Sequence, residues 1–356
     1  MPVVKFVRAE KDSRLRTLDV RADDSDARDY IFEPSLTLLP HEKRPPLGIP
    51  VLDQGQEGAC VGFALATVIN VSLRARGTSG GGNRRASKFD QVSARMLYEI
   101  AKRYDEWKGE HYDGTSPRGA MKGWHHHGVA SEQAWSSKGS RTKGGLWVTD
   151  RAFTIARVEE AKRRPIGAYY RLVDSDVGHL QAALIEGDAI LASAWVHDGW
   201  DQNSLKSRRG IAYPTIPFQS RAKGLHAFAM VGYTPDGFII QNSWGRSWGK
   251  NGLALLHYED WMEHRQDAWV SRPGPETRDS KGRPAVFVVG FAGTSVAPGK
   301  DALIRSSGDG LELSNPEVLS YLINTGDKGA LSTGGSLTTS LTQLPGMAQR
   351  VLAAPK

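Results

Sequence analysis

The pattern of apolar and polar positions divides this chain into a helical first half and a β-rich second half. Residues 60–74 (CVGFALATVINVSLR) are apolar on nearly every side, which predicts a buried helix that runs through a core. Residues 91–104 carry apolar side chains at helical spacing and predict a second helix. Residues 1–46 are polar and charged and end in a proline pair that resists regular structure, so we treat them as an N-terminal extension.

The second half contains four short runs of β type, separated by turn signals such as Pro235-Asp236-Gly237. These runs predict an antiparallel sheet, and helices followed by strands indicate an α+β domain, which we assign to residues 47–270. Residues 271–356 form a C-terminal extension of unassigned role, which could lead into a further domain or bind a regulatory partner. The strands are predicted at residues 189–196, 226–233, 237–244 and 252–258, with one more at 285–291 in the C-terminal extension.

Composition and charge leave the predicted fold unchanged, but they exclude several classes of partner and location. The 356 residues are 39% hydrophobic and 24% charged, which is typical of a globular protein. Lys and Arg total 46 against 39 Asp and Glu, but the basic residues are scattered, so we expect no nucleic-acid partner. We find no stretch apolar enough for a membrane span or a secretory signal, and the single cysteine excludes an intramolecular disulfide. We therefore expect a cytoplasmic protein.

Cys60 stands at the start of the predicted buried helix and is the one thiol of the chain. A thiol attacks a carbonyl as the thiolate, which a neighbouring imidazolium and a helix N-terminus stabilise. Gly55 and Gly58 permit close approach of a substrate backbone. The N–H of Cys60 and the amide of Gln54 could together face an oxyanion. A cysteine that packs as a small buried hydrophobe remains the alternative.

His226 begins one of the β-type runs, and Asn242 follows it near the end of the next. An antiparallel hairpin brings such opposite ends together. We therefore expect the amide oxygen of Asn242 to accept the Nδ1 proton of His226 and to leave Nε2 facing the thiol. Each residue taken alone is also compatible with a purely structural role.

Three segments together resemble the papain-like cysteine peptidases: QGQEGACVGFA around Cys60, LHAFAMVGY at His226, and IIQNSWGRSWGKNG at Asn242. The resemblance implies a two-lobed fold, with a helical N-terminal lobe around the nucleophile helix and an antiparallel β C-terminal lobe. It implies that Cys60 is the nucleophile and that His226 is the general base and then the acid. Asn242 would orient His226, and Gln54 would complete the oxyanion hole.

The same resemblance implies which residues bind the substrate, a protein or peptide. The loop at residues 112–117 is similar to the glycine-bearing segment along which an extended peptide pairs. Leu225 with Ala192 or Ser193 would form the walls of the second non-primed pocket and favour an apolar substrate residue. Because no occluding insertion is recognisable, we expect an endopeptidase. The residues implied to contact substrate are Gly58, Gly114, Thr115, Ala192, Ser193, Leu225 and Trp244, the last also covering the His226–Asn242 bond, with Trp248 packed nearby.

Two other functions remain compatible with these residues. The acyl-enzyme could pass to an amine, as in transglutaminases and peptide ligases, or the chain could be a catalytically silent peptide-binding module. The N-terminal extension carries no amphipathic helix of the kind found in inhibitory prosegments, so we expect no conventional zymogen. No cofactor or metal is expected. The three consecutive histidines at 125–127 indicate a solvated helix end, because neighbours on a helix diverge by about 100°.

Overall fold

The computed structural model describes residues 5–9 and 14–274, with gaps at 25, 28, 36–37, 79–89, 107–112, 139, 142–146, 149 and 208. The strand predicted at 285–291 therefore lies outside the described residues. In chain order the elements are β1 (Lys5–Ala9), β2 (Arg14–Leu18), α1 (Cys60–Thr78), α2 (Ala94–Tyr104), α3 (Pro117–His127), β3 (Ser140–Arg141), β4 (Trp147–Val148), α4 (Ile155–Ala161), β5 (Ile166–Arg171), α5 (Val177–Gly187), β6 (Ile190–Val196), a 3₁₀ turn (Asp198–Trp200), β7 (Gly224–Thr234), β8 (Gly237–Gln241), β9 (Leu253–His257), α6 (Tyr258–His264) and β10 (Arg265–Pro273).

The helical lobe forms around α1, whose side chains are buried without interruption over residues 60–72. This burial on all sides confirms the helix predicted from the apolar run, and α2 confirms the second predicted helix. The two helices approach closely because Gly62 has no side chain; a Cβ there would lie 2.5 Å from the backbone nitrogen of Tyr98. Ser93 and Ser116 cap α2 and α3, where their hydroxyl oxygens accept first-turn N–H groups.

The second lobe is a six-stranded antiparallel sheet in the order β5-β10-β6-β7-β8-β9. Strands β6 to β9 confirm the four predicted runs. The apolar pattern does not predict β5 and β10, because β10 (RQDAWVSRP) carries charged residues within a buried strand. Asp267 in β10 forms an ion pair with Arg171 of β5 at 2.6 Å, so its charge is balanced inside the sheet.

Strand β7 divides the core between its two faces. Leu225, Ala227 and Ala229 belong to the cluster around α1, whereas Phe228 and Met230 belong to the cluster on the far face of the sheet. Side chains alternate along a strand, and the small alanines allow α1 to lie close to the sheet. The result is the α+β, two-lobed architecture that the sequence predicts. No helix within the described ranges is both long and apolar enough to cross a membrane.

Candidate active site

Cys60 is the first residue of α1, and its sulfur lies against β7, where it accepts the backbone N–H of Ala227 in addition to that of Val61. The side chain is completely buried. Burial, opposed by these N–H groups and reinforced by the nearby Asp19 carboxylate, raises the pKa of the Cys60 thiol to about 12. The sulfur is therefore protonated in this arrangement.

His226 precedes Ala227 in β7, and Asn242 directly follows β8. The Nε2 atom of His226 and the Oδ1 atom of Asn242 are 2.8 Å apart. The expectation that Nδ1 would bind the amide is therefore wrong, because Nε2 is farther from the backbone and is the nitrogen that reaches the end of the neighbouring strand. The nitrogen that can serve the Cys60 thiol is then Nδ1. Both side chains of the pair are buried.

Tryptophan rings shield this hydrogen bond from water. The ring centroid of Trp244 lies 4.8 Å from that of His226, and Trp200 approaches edge-on at 6.4 Å. Trp248 stacks on Trp200 and donates its Nε1–H to the Trp200 carbonyl oxygen at 2.7 Å. The sequence indicates Trp244 and Trp248, but it does not indicate Trp200, which no motif ties to His226. A hydrogen bond enclosed in this way is stronger than one exposed to solvent.

Gln54 is held beside the residue that follows Asn242. Its backbone N–H donates to the carbonyl oxygen of Ser243 at 2.9 Å, and its Oε1 accepts the Ser243 hydroxyl at 2.6 Å. Its Nε2 donates to the carbonyl oxygen of Glu57 at 2.9 Å. Two of these hydrogen bonds join the loop that leads into α1 to the segment that carries Asn242, and the third fixes the Gln54 side chain within its own loop.

The N-terminal extension enters the groove between the two lobes. Residues 17–24, which we call the strap, cross it as an extended segment. The Oδ2 atom of Asp19 accepts the N–H groups of Asp113 and Gly114 at 3.0 and 3.2 Å. A side chain at Gly114 would overlap the strap, since its Cβ would lie 1.3 Å from the carbonyl oxygen of Asp19. The strap therefore lies directly against the loop expected to pair with substrate.

The strap backbone also bonds to both walls of the groove. Val20 N–H donates to the carbonyl oxygen of Leu225 at 3.4 Å, and Arg21 N–H donates to that of Thr115 at 3.3 Å. Gly114, Thr115 and Leu225, all expected to bind substrate, thus contact the chain's own N-terminal segment. The sequence of the N-terminal extension shows no helical inhibitory segment. The strap is extended, so the lack of an amphipathic helix did not exclude a segment that covers the groove.

The remaining residues expected to bind substrate do not all lie on the same side of the sheet. Gly58 packs against the backbone of Asp113, at the edge of the groove. Ala192 and Ser193 point to opposite faces of β6, and Ala192 is buried in the far cluster, so it does not line the groove. The hydroxyl of Ser193 lies 3.5 Å from the Oδ2 atom of Asp267. The wall expected to be apolar therefore carries a carboxylate.

Beyond the groove, Asp260 joins two histidines in a buried network that no sequence pattern indicates. His197 Nε2 lies 3.0 Å from its Oδ2, and His264 Nδ1 lies 2.9 Å from its Oδ1. The donor types suit a metal, but His197 Nδ1 accepts the N–H of Gly199 at 3.1 Å, so the proton is on Nε2. A metal-binding imidazole has the opposite arrangement, so we interpret the cluster as a structural network between β6 and α6. The histidines at 125–127 end α3, as expected.

Known proteins resemble this chain in sequence as well as in fold. The family described as "Papain family cysteine protease" matches residues 46–267. The chain belongs to this family. It is a papain-like cysteine peptidase, a hydrolase that acts on protein or peptide substrates.

Individual relatives of this papain-family chain are distant. An uncharacterized peptidase C1-like protein of Acanthamoeba polyphaga mimivirus is 24% identical over 239 residues, which span 63% of this chain and 70% of the viral protein. Xylellain, a cysteine protease from Xylella fastidiosa, is similar with a TM-score of 0.56 at 24% identity, covering 71% of this chain and 94% of xylellain. Digestive procathepsin L 3 of the Tenebrio molitor larval midgut has a TM-score of 0.51 at 18% identity, covering 68% and 73% of the two chains. At such low identity, the structural neighbours support the fold alone.

Proposed function

We propose that this papain-family protease hydrolyses peptide bonds through a thioester on Cys60. The observation that carries the proposal is the position of the Cys60 sulfur. It lies at the N–H of Ala227, directly beside His226, whose Nε2 bonds to Asn242. A thiol at a helix N-terminus next to an oriented imidazole is the arrangement that nucleophilic catalysis by cysteine needs.

In the proposed reaction, Nδ1 of His226 removes the thiol proton, and the sulfur forms a bond to the substrate carbonyl carbon. The N–H of Cys60 and the amide of Gln54 stabilise the oxyanion. The imidazolium then donates its proton to the departing amine as the C–N bond breaks, which leaves the thioester. His226 next removes a proton from water, whose oxygen attacks the thioester and releases the carboxylic acid and the thiol. Asn242 accepts the Nε2–H throughout and keeps the ring in place.

The strap would hold this machinery in a latent form. Cys60 is buried beside it, and the raised pKa of the thiol keeps the sulfur protonated. An extended peptide would need the groove and the backbone carbonyls of Thr115 and Leu225, which the strap now uses. Displacement or cleavage of the strap therefore precedes catalysis in this proposal.

Endopeptidase action remains part of the proposal, because the strap is itself an internal stretch of chain that passes through the groove. An apolar preference in the second pocket has less support, because Ala192 faces away from the groove and Ser193 neighbours Asp267. The single cysteine supports a reducing, cytoplasmic environment. We keep the C-terminal extension as the candidate contact for a regulatory partner.

Peptide turnover separates this proposal from acyl transfer and from silent binding. The substitution Val20→Glu would place a carboxylate in the apolar contact between strap and groove and so loosen the strap in the full chain. We expect that chain to hydrolyse peptides, the added substitution Cys60→Ala to abolish hydrolysis, and added amines to capture little product. Products that are mainly amides would indicate a transferase, and binding of peptides without turnover would indicate a silent module.

A further inference from the structure

The last part of the strap places a carboxyl group in a buried pocket beside the groove. The Oδ1 and Oδ2 atoms of Asp23 accept the backbone N–H of Arg118 at 3.1 and 3.0 Å, and Oδ2 accepts the indole N–H of Trp269 at 3.0 Å. The hydroxyl of Ser116 is a further partner. We call Ser116, Arg118, Asp267 and Trp269 the Asp23 pocket. All four residues are buried, and Asp23 itself is only 6% exposed.

The donors of this pocket depend on the strap for a partner. The N–H of Arg118 lies in the first turn of α3, where backbone N–H groups have no partner within the helix. Among the residues that the structure describes, the buried indole N–H of Trp269 bonds only to Asp23. When the strap leaves, both donors lose their acceptor, and a buried donor without a partner is costly. An oxygen acceptor on a substrate would restore both hydrogen bonds.

The pocket opens where a substrate backbone would lie. Arg21 of the strap bonds to the carbonyl oxygen of Thr115, and Ser116 of the pocket is the next residue along that wall. Asp23 reaches the pocket from only two residues farther along the strap. A substrate paired with the same wall would therefore present a side chain to the same donors.

The charges around the pocket favour a neutral side chain. Asp267 forms the far wall, where its Oδ2 accepts the backbone N–H of Asp23 at 3.1 Å and its Oδ1 pairs with Arg171. Arg171 pairs with Asp29 as well as with Asp267, and Arg118 pairs with Asp29 and Glu106, so both positive charges are already shared between two carboxylates. Burial and the Asp267 carboxylate raise the pKa of Asp23 to about 7, although Arg118 opposes this rise. A carboxyl group here is thus readily protonated, and a carboxamide needs no proton.

We propose that the Asp23 pocket is a substrate subsite that selects a short side chain ending in a carbonyl oxygen, either asparagine or protonated aspartic acid. The carbonyl oxygen would accept from Arg118 N–H and the Trp269 indole, and an asparagine N–H could donate to Asp267. A leucine would fill the volume but leave the buried donors without a partner. This inference rests on the proposed peptidase function and gives its substrate class.

The experiment profiles peptide libraries with the full chain carrying Val20→Glu, so that the strap is present but loosened. At one non-primed position we expect asparagine to exceed leucine in kcat/KM by about tenfold, the ratio expected for an unmet hydrogen-bonding group. The kcat/KM for aspartate should match that for asparagine only below about pH 4, the ordinary pKa of a free carboxyl group, and should fall progressively behind it as the pH rises to about 7, because binding in the pocket then requires the uptake of a proton.

Trp269→Phe removes the indole N–H and retains a ring, and it should reduce the asparagine-to-leucine ratio of kcat/KM by about tenfold. Trp261→Phe is the matched control, since its buried indole donates to the carbonyl oxygen of Asp174 away from the groove, and the ratio should not change. If Trp269→Phe fails to fold, Asp267→Asn gives the second test. It should raise the aspartate-to-asparagine ratio at pH 8, because the repelling carboxylate is gone.

A preference for leucine, or a Trp269→Phe effect equal for all peptides, would overturn the subsite while leaving the peptidase intact. A strap-loosened chain that hydrolyses none of the library would contradict both the subsite and the proposed function.

Discussion

Two buried polar clusters lie along the groove, and they are built in opposite ways. His226 and Asn242 form a hydrogen-bonded pair within the sheet lobe, enclosed by indole rings. Asp23 and Asp267 join the strap to the sheet through two carboxyl groups, with Arg171 as a counter-ion. The first cluster stays complete when the strap leaves, whereas the second comes apart. In the proposed mechanism, catalysis and latency therefore depend on different residues, and we expect that each can be altered without the other.

The largest effect should come from removing the imidazole. We expect His226→Gln, in the chain loosened by Val20→Glu, to reduce kcat/KM at least about a thousandfold, because the base is lost. His257→Gln is the matched control, since His257 bonds to the carbonyl oxygen of Asp236 on the far hairpin and should retain near-full turnover. Turnover within tenfold of the parent would show that His226 is not the base.

Loosening the strap should change activity in the opposite direction. Val20 is buried against the groove, and a glutamate there would weaken strap docking, so peptide turnover by the full chain should rise about tenfold or more. Ile155→Glu makes the same change at a residue that is 84% exposed on α4 and should leave turnover unchanged. Equal rates in the two variants would mean that the strap does not inhibit.

Acidity should strengthen strap docking. Burial and a neighbouring carboxylate raise the pKa of Asp23 to about 7, and burial raises that of Asp267 to about 6, both above the ordinary value of 3.8. The docked strap therefore binds more protons than the free strap. This contribution is fully present below about pH 4 and is lost as the pH rises through about 7.

We therefore expect turnover by the unmodified chain to rise several-fold more between pH 5 and pH 8 than turnover by the Val20→Glu chain. The ratio of the two kcat/KM values cancels the ionisation of Cys60 and His226, which both chains share. A ratio that stays constant over this range would show that the Asp23–Asp267 pair does not control the strap.

The smallest effect should come from the support of the oxyanion site. Ser243→Ala removes the hydroxyl that holds the Gln54 Oε1, and kcat in the loosened chain should fall a few-fold with little change in KM. Ser136→Ala, which removes an exposed hydroxyl bonded to Glu132, serves as the matched control. An effect confined to KM would assign Ser243 to substrate binding instead.

The sequence predicts the parts of this molecule that are local and uniformly apolar. The helix α1 and strands β6 to β9 can be predicted because they are buried and their sequences are therefore continuous runs of apolar residues. The sequence also points to Cys60, His226, Asn242 and Gln54, because they lie in short motifs that follow one another in the order that the family shows. The choice of ring nitrogen on His226 was not predictable, because it depends on the direction of a side chain and not on its identity.

The sequence does not predict the strap or β10, for a different reason in each case. The strap is polar and buries few apolar side chains, and it docks through backbone N–H groups and the carboxylates of Asp19 and Asp23, none of which gives an apolar pattern in the sequence. The charge of Asp267 makes β10 resemble a surface segment in the sequence. The charge is balanced by Arg171, which is distant in sequence, so only the structure explains why this strand can be buried. The pairing of Asp23 with Asp267 joins positions far apart in the chain, and no periodicity links them.

In the proposed mechanism, Cys60 is the nucleophile of a groove that the strap covers. The most direct test treats the Val20→Glu chain with a thiol-directed epoxide and follows intact mass and peptide turnover in the same sample. The chain has one cysteine, so adducts can be assigned without ambiguity. We expect a single adduct on Cys60 and a loss of turnover in proportion to the fraction labelled. Full turnover in a completely labelled chain would show that Cys60 is not the nucleophile.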